Sequence, residues 1–222
     1  MYYYNKCPKK EKRGKRGTLT LDYGFDPNIT HVIGIDEVGW GAIAGPLWVG
    51  GFVCSVTNTL EYLNVKDSKK YSSPLKRELV YNNIHHLLWD DIDFFSWPVD
   101  SIEVAENPSK ALARCQLLVA ETLLMERPNS GIILDGTRTI PELNVPQKAI
   151  ISADSKYKVV SAASVLAKVE RDNYMQVADD WYPGYGFGNH KGYATKQHLR
   201  ALKELGVCDI HRKNVKCVRD LL

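Results

Sequence analysis

Apolar residues along this chain fall into short runs of two different periods. "HVIGIDE" (31–37) is an apolar run ending on two adjacent carboxylates, and "PLWVGGFVCSV" (46–56) is a second run. The glycine-rich turn between them, closed by a proline, predicts an antiparallel hairpin. "SSPLKRELVYNNIHHLLWD" (72–90) predicts a helix: Ser73 can cap, Pro74 suits the first turn, and Leu75, Leu79, Ile84, Leu87 and Leu88 recur at helical spacing. "NPSKALARCQLLVAETLLMER" (107–127) repeats that design with Asn107 as cap and Pro108 first. "SGIILDG" (130–136) reads as a buried strand opening into a loop. The Ala- and Ser-rich stretch 151–175 predicts a helix packed closely on a sheet, beginning at about Asp154. A last helix is expected from about Thr195 to Leu205, stopped by Gly206. Early strands followed by helices argue a layered α/β fold.

Bulk properties narrow the class. With 222 residues, 44% apolar and 25% charged, the chain has the makings of one substantial core. No segment approaches the roughly 18 apolar residues of a membrane span, and the opening "MYYYNKCPKK" lacks the apolar core of an export signal. Five scattered cysteines, Cys7, Cys54, Cys115, Cys208 and Cys217, form no CxxC pair and read as reduced thiols of a cytoplasmic protein. The net charge of +3 is uneven: residues 6–16 carry seven Lys or Arg and one Glu, a local +6, so the remainder carries about −3. Such an arm is either a phosphate-binding extension or a solvated tail.

Four carboxylates stand at the ends of predicted elements: Asp36, Glu37, Asp135 and Asp154. Singly, each also reads as a cap or turn residue. Together they have a physical problem. Two like charges about 4 Å apart repel by roughly 4 kcal/mol at an effective dielectric near 20, against a total stability of about 5–15 kcal/mol. Divalent cations or protonation must offset that, and an oxygen-only donor set favours Mg²⁺ or Mn²⁺ over zinc. Adjacent strand residues point to opposite faces, so Asp36 and Glu37 are expected to share one site only if the strand ends between them.

The motifs "GIDEVGWGAIAGP" (34–46), "DSKKYS" (67–72), "ILDG" (133–136), "ADSKYKVVSAASVLAKVERD" (153–172), "YPGYGFGNHKGYATKQH" (182–198) and "IHR" (210–212) occur in this order. With them the chain resembles the type 2 ribonucleases H, the ribonuclease HII family, over about residues 31–218. The resemblance implies an RNase H-like fold, a mixed five-stranded sheet flanked by helices, with a small C-terminal helical region. It divides the chain into a basic N-terminal extension (1–30), a catalytic domain (31–180) and a C-terminal substrate-contacting loop and helical region (181–222). The implied activity is endonucleolytic cleavage of RNA in RNA/DNA hybrids and of ribonucleotides embedded in duplex DNA, leaving 3′-hydroxyl and 5′-phosphate ends. Asp36, Glu37, Asp135 and Asp154 match the family's acidic residues, which hold two Mg²⁺ or Mn²⁺ ions. Asp154, at a helix start, is expected to stay ionised.

Substrate-binding positions carried over by the same resemblance are Gly39, Trp40, Gly41, Ser68, Lys69, Lys70 and Tyr193. Tyr193 matches a tyrosine that stacks on the sugar beside the ribo–deoxy junction, although by itself it also reads as a packing aromatic. Lys70 equally suits a solvated turn. His190, His198 and His211 are expected to be structural or to face phosphates. The family's usual Gly-Arg-Gly is here Gly39-Trp40-Gly41, which retains the glycines but not the charged phosphate contact, so weaker junction selectivity is expected. The C-terminal "KCVRDLL" carries no sliding-clamp motif, and a monomer is expected.

Overall fold

The computed structural model describes residues 23–57, 60, 65, 71, 73–86 and 92–222. The basic arm at 6–16, together with Ser68, Lys69, Lys70, Leu87 and Leu88, lies outside the described residues.

Five strands form one mixed sheet: β1 (His31–Val38), β2 (Leu47–Ser55), β3 (Ile92–Val99), β4 (Ser130–Asp135) and β5 (Gln147–Ile150), in the order β3-β2-β1-β4-β5. The expected β1–β2 hairpin is present and antiparallel, β2–β3 is antiparallel, and β1–β4 and β4–β5 are parallel. The helices are α1 (Pro74–His86), α2 (Ser101–Glu106), α3 (Pro108–Glu126), α4 (Lys158–Trp181), α5 (Phe187–His190), α6 (Lys196–Leu205) and α7 (Lys216–Arg219).

Side-chain alternation on the central strands sorts the core into two layers. Val32 and Ile133 face α4, packing with Val159, Val160 and Ala163. Ile33, Ile35, Ile132 and Leu134 face α3, packing with Ala111, Cys115 and Val119. Gly34 lets α4 approach: a Cβ there would lie 2.5 Å from the Val159 carbonyl carbon. The α4 helix therefore lies directly on β1, and its N-terminal end comes close to Asp36.

Beyond the sheet, the C-terminal residues pack onto the loop after β1 and the second half of α4. Ala44, Met175, Ala178, Tyr185, Phe187, Ala201 and Ile210 form one cluster, and Ile43, Leu202 and Val218 another. At the other end of the sheet, the Lys148 ammonium donates to the Tyr23 and Gly24 carbonyls (2.9 and 2.6 Å), which ties the start of the described chain to β5.

Three expectations change. Leu75 and Leu79 are exposed, and α1 packs through Val80 and Ile84 instead. The α4 helix starts at Lys158: residues 153–155 form a separate 3₁₀ turn, preceded by Ser152 in the left-handed region (φ 56°). Asp154 thus lies in that turn and not in the first turn of α4. Finally, β1 does not end between Asp36 and Glu37, because pairing with β2 continues through Asp36↔Gly50, Glu37↔Val49 and Val38↔Trp48.

Candidate active site

Parallel strands β1 and β4 end side by side, their pairing running to Ile35↔Leu134, which brings Asp36 and Asp135 next to each other. Asp154 comes from the turn before α4 and is buried. Asp36 is also buried, and its carboxylate accepts from its neighbour's backbone (Glu37 N–H, 2.8 Å) and from the Ser164 hydroxyl on α4. Asp135 Oδ1 accepts from Ala153 N–H (2.7 Å), locking the 153–155 turn to the end of β4. The Ser161 hydroxyl donates to the Asp154 carbonyl (2.5 Å) and fixes the same turn to α4.

Burial pushes the Asp36 pKa up to about 8 against the opposing hydrogen bond from Ser164, and repulsion from Glu37, Asp135 and Asp154 adds smaller increments. All four predicted carboxylates therefore share one electrostatic neighbourhood. Their directions differ, however. As an unbroken strand requires, Asp36 turns towards α4, while Glu37 lines an open cavity on the α3 side that it shares with Trp40 and Asp135. Among the described residues no three His, Cys, Asp or Glu side chains already converge as a ligand group. The donor set itself, carboxylate oxygens around a buried acid whose ionisation is disfavoured, matches what a hard divalent cation requires.

The loop after β1 is held rigidly. Gly39 adopts φ +94°, and a side chain there would collide with the Arg171 guanidinium. Arg171 and Arg212, both fully or nearly fully buried, donate into this loop: Arg171 to the carbonyls of Pro46 (2.9 Å) and Ala44 (3.3 Å), Arg212 to those of Gly45 (3.0 Å) and Trp40 (3.1 Å). Trp40 is half exposed. The Trp48 ring lies against Tyr174, and its indole N–H reaches Ser96 and Glu170.

Tyr193 stands beside this loop. It pairs with Ala42 in an isolated bridge, and Gly192 O accepts from Ile43 and Ala44 N–H. Lys168 and Arg171 lie over its ring at 5.9 and 5.3 Å. The three histidines are buried behind it. Gly192 N–H donates to His190 Nδ1 (3.2 Å) and Cys208 N–H to His211 Nδ1 (3.0 Å). With its Nδ1 so occupied, His211 Nε2–H points to His198 Nε2 (3.1 Å), which leaves His198 Nδ1–H to donate to the Tyr193 carbonyl (2.9 Å). Burial pushes His198 down to about 4 and lowers His211 as well, which favours the neutral form of both rings. Arg171, Arg212, Ser161 and Ser164 were not singled out from the sequence; the only signal was that "SAASVLAKVERD" and "IHR" fall within the motifs.

Comparison with known proteins places this geometry. Residues 33–220 match the ribonuclease HII family profile. A ribonuclease HII from Myxococcus xanthus is 39% identical over 199 residues, covering 87% of this chain and 64% of that protein; one from Francisella tularensis is 37% identical over 193 residues, covering 86% and 98%. The structure of the PCNA:RNase HII complex from Archaeoglobus fulgidus contains a chain 27% identical to this one, with a TM-score of 0.68, covering 83% of this chain and 95% of that one. The chain belongs to the ribonuclease HII family, and with it to the ribonucleases H, metal-dependent endoribonucleases acting on RNA/DNA hybrids. Its fold is the mixed-sheet RNase H-like fold.

Proposed function

We propose that this protein cleaves single ribonucleotides embedded in duplex DNA as well as RNA in hybrids, by two-metal-ion hydrolysis leaving 3′-hydroxyl and 5′-phosphate ends. The observation that carries the reading is that β1 and β4 end side by side with Asp36 beside Asp135, and that Glu37, Asp135 and Asp154 are all near enough to raise the Asp36 pKa. These four carboxylates would hold Mg²⁺ or Mn²⁺. Bound there, the cations would activate water and stabilise the leaving 3′-oxygen.

The chain's own residues do the rest. Ser164 and the Glu37 N–H orient the Asp36 carboxylate, and the Ala153 N–H orients Asp135. The backbone of Gly39, Trp40 and Gly41, braced by the two buried arginines, offers fixed polar groups to a 2′-hydroxyl. Tyr193, set beside that loop through Ala42 and Gly192, offers a ring to the adjoining sugar. Lys69 and Lys70, with Ser68, add backbone contacts, and the 6–16 arm adds further phosphate contacts by its charge. The protein acts as a cytoplasmic monomer. No helix among the described residues is long and apolar enough to cross a membrane.

The test is a duplex with one ribonucleotide, incubated with Mg²⁺. Cleavage on the 5′ side of that ribonucleotide, leaving a 3′-hydroxyl on the upstream DNA, supports the proposal. Cutting of uniform hybrid alone, with the single-ribonucleotide duplex left intact, contradicts it.

A further inference from the structure

Between the Trp40 loop, residues 136–141 and the outer side of α3 lies an open cavity of about 460 Å³. Glu37, Asp135, Trp40, Leu112, Pro141 and Arg138 are among the residues that line it. Because β1 runs on past Asp36, Glu37 faces this cavity while Asp36 faces α4, so the carboxylate group opens directly into it.

Trp40 is placed as a fixed platform. Its ring is 50% exposed, yet its carbonyl is held by Arg212 at 3.1 Å and the preceding Gly39 is wedged against Arg171. A half-exposed indole on a rigid loop loses little freedom when it gains a partner. Arg138 is exposed and, among the described residues, forms no ion pair. A flat apolar face, two carboxylates and a guanidinium lining one open cavity fit one kind of occupant: a sugar with a phosphate on each side. A base held in a duplex is already stacked and paired, whereas the sugar edge is accessible.

We propose that this cavity is a nucleotide subsite in which Trp40 packs on the sugar of the cleaved-strand deoxynucleotide on the 5′ side of the scissile phosphate, and Arg138 contacts the outer phosphate of that nucleotide. The inference rests on the reading of the carboxylates as the cleavage centre.

Three duplexes separate sugar from base. One is unmodified around its single ribonucleotide. In the second, the deoxynucleotide on the 5′ side of the ribonucleotide, which adjoins the scissile phosphate, is a tetrahydrofuran abasic unit that keeps the sugar ring. In the third, the same unit is a three-carbon spacer that removes it. Initial rates at subsaturating substrate with Mg²⁺ compare wild type, Trp40→Ala and Trp40→Phe. Wild type should exceed Trp40→Ala by at least about fivefold on the unmodified and abasic duplexes, as loss of one packed sugar face implies. That advantage should vanish on the spacer duplex. Trp40→Phe, which keeps an aromatic face, should recover most of the loss. Arg138→Gln should weaken binding and lower the salt slope by about one counterion. An equal wild-type to Trp40→Ala ratio on all three duplexes, or a ratio that already vanishes on the abasic one, overturns the sugar assignment. An unchanged salt slope overturns the phosphate contact. Cleavage of the unmodified duplex by wild type reports on the proposed function itself, so a flat ratio on a duplex that is cut counts against the subsite alone.

Discussion

Asp36 shows how a single residue trades stability for chemistry. Its carboxyl is buried among three others, and the folded protein keeps its proton up to about pH 8, whereas the unfolded chain releases it near 3.8. Folding therefore takes up a proton across that window, and metal-free stability falls as pH rises through it. Asp36→Asn keeps the volume and an acceptor for Ser164 but removes the charge. In chelator, its melting temperature should exceed that of wild type, by a margin that grows from pH 4 to pH 8; each kcal/mol gained corresponds to about 2–4 °C for a domain this size. A variant less stable than wild type at pH 8 without metal would contradict the electrostatic account. All four carboxylates stood out in the sequence because each falls at the end of a predicted element. What the sequence did not reveal was direction. Glu37 turns to the α3 side because strand pairing continues through Val38, and only the register shows that. Arg171 and Arg212 were equally hidden, since a buried arginine is recognised by carbonyls far away in sequence.

At the level of elements, those with strong local signals were legible: the β1–β2 hairpin, α3 with its Asn107 cap and first-turn Pro108, β4, and α6 between Thr195 and Gly206. Strands β3 and β5 were not placed from pattern. Both are edge strands, β3 "IDFFSWPV" containing Pro98 and β5 only four residues long, and neither alternates cleanly. The separate turn at 153–155 was missed because Asp135 and Ser161, distant in sequence, define it. The His190–His198–His211 array belongs to this scale too, since it joins α5, α6 and the segment after them behind Tyr193. With His198 held down to about 4 and an ordinary value of 6.5, its contribution to stability is full above about pH 6.5 and is lost as pH falls towards 4. His198→Gln, which does not titrate, should be less stable than wild type at pH 7.5, and the gap between the two melting temperatures should narrow as pH drops from 6.5 to 4. A gap independent of pH would mean that His198 is not held neutral in the folded protein.

Across the whole molecule, one sheet end gathers what the sequence scatters. The sheet supplies Asp36, Glu37 and Asp135, the turn before α4 supplies Asp154, and the C-terminal segments close over the 42–45 loop to bring Tyr193 alongside. Membership of the ribonuclease HII family accounts for the type of reaction. The account's central claim is that these four carboxylates are its catalytic centre. The most direct test is the Mg²⁺-dependent rate of RNA/DNA hybrid cleavage for wild type, Asp36→Asn, Glu37→Gln, Asp135→Asn and Asp154→Asn, each checked for a cooperative melt. The account predicts that every substitution leaves a folded protein and lowers the rate at saturating hybrid by at least about a hundredfold, a barrier increase of about 2.7 kcal/mol. A folded variant of any of the four that cleaves at near wild-type rate would contradict it.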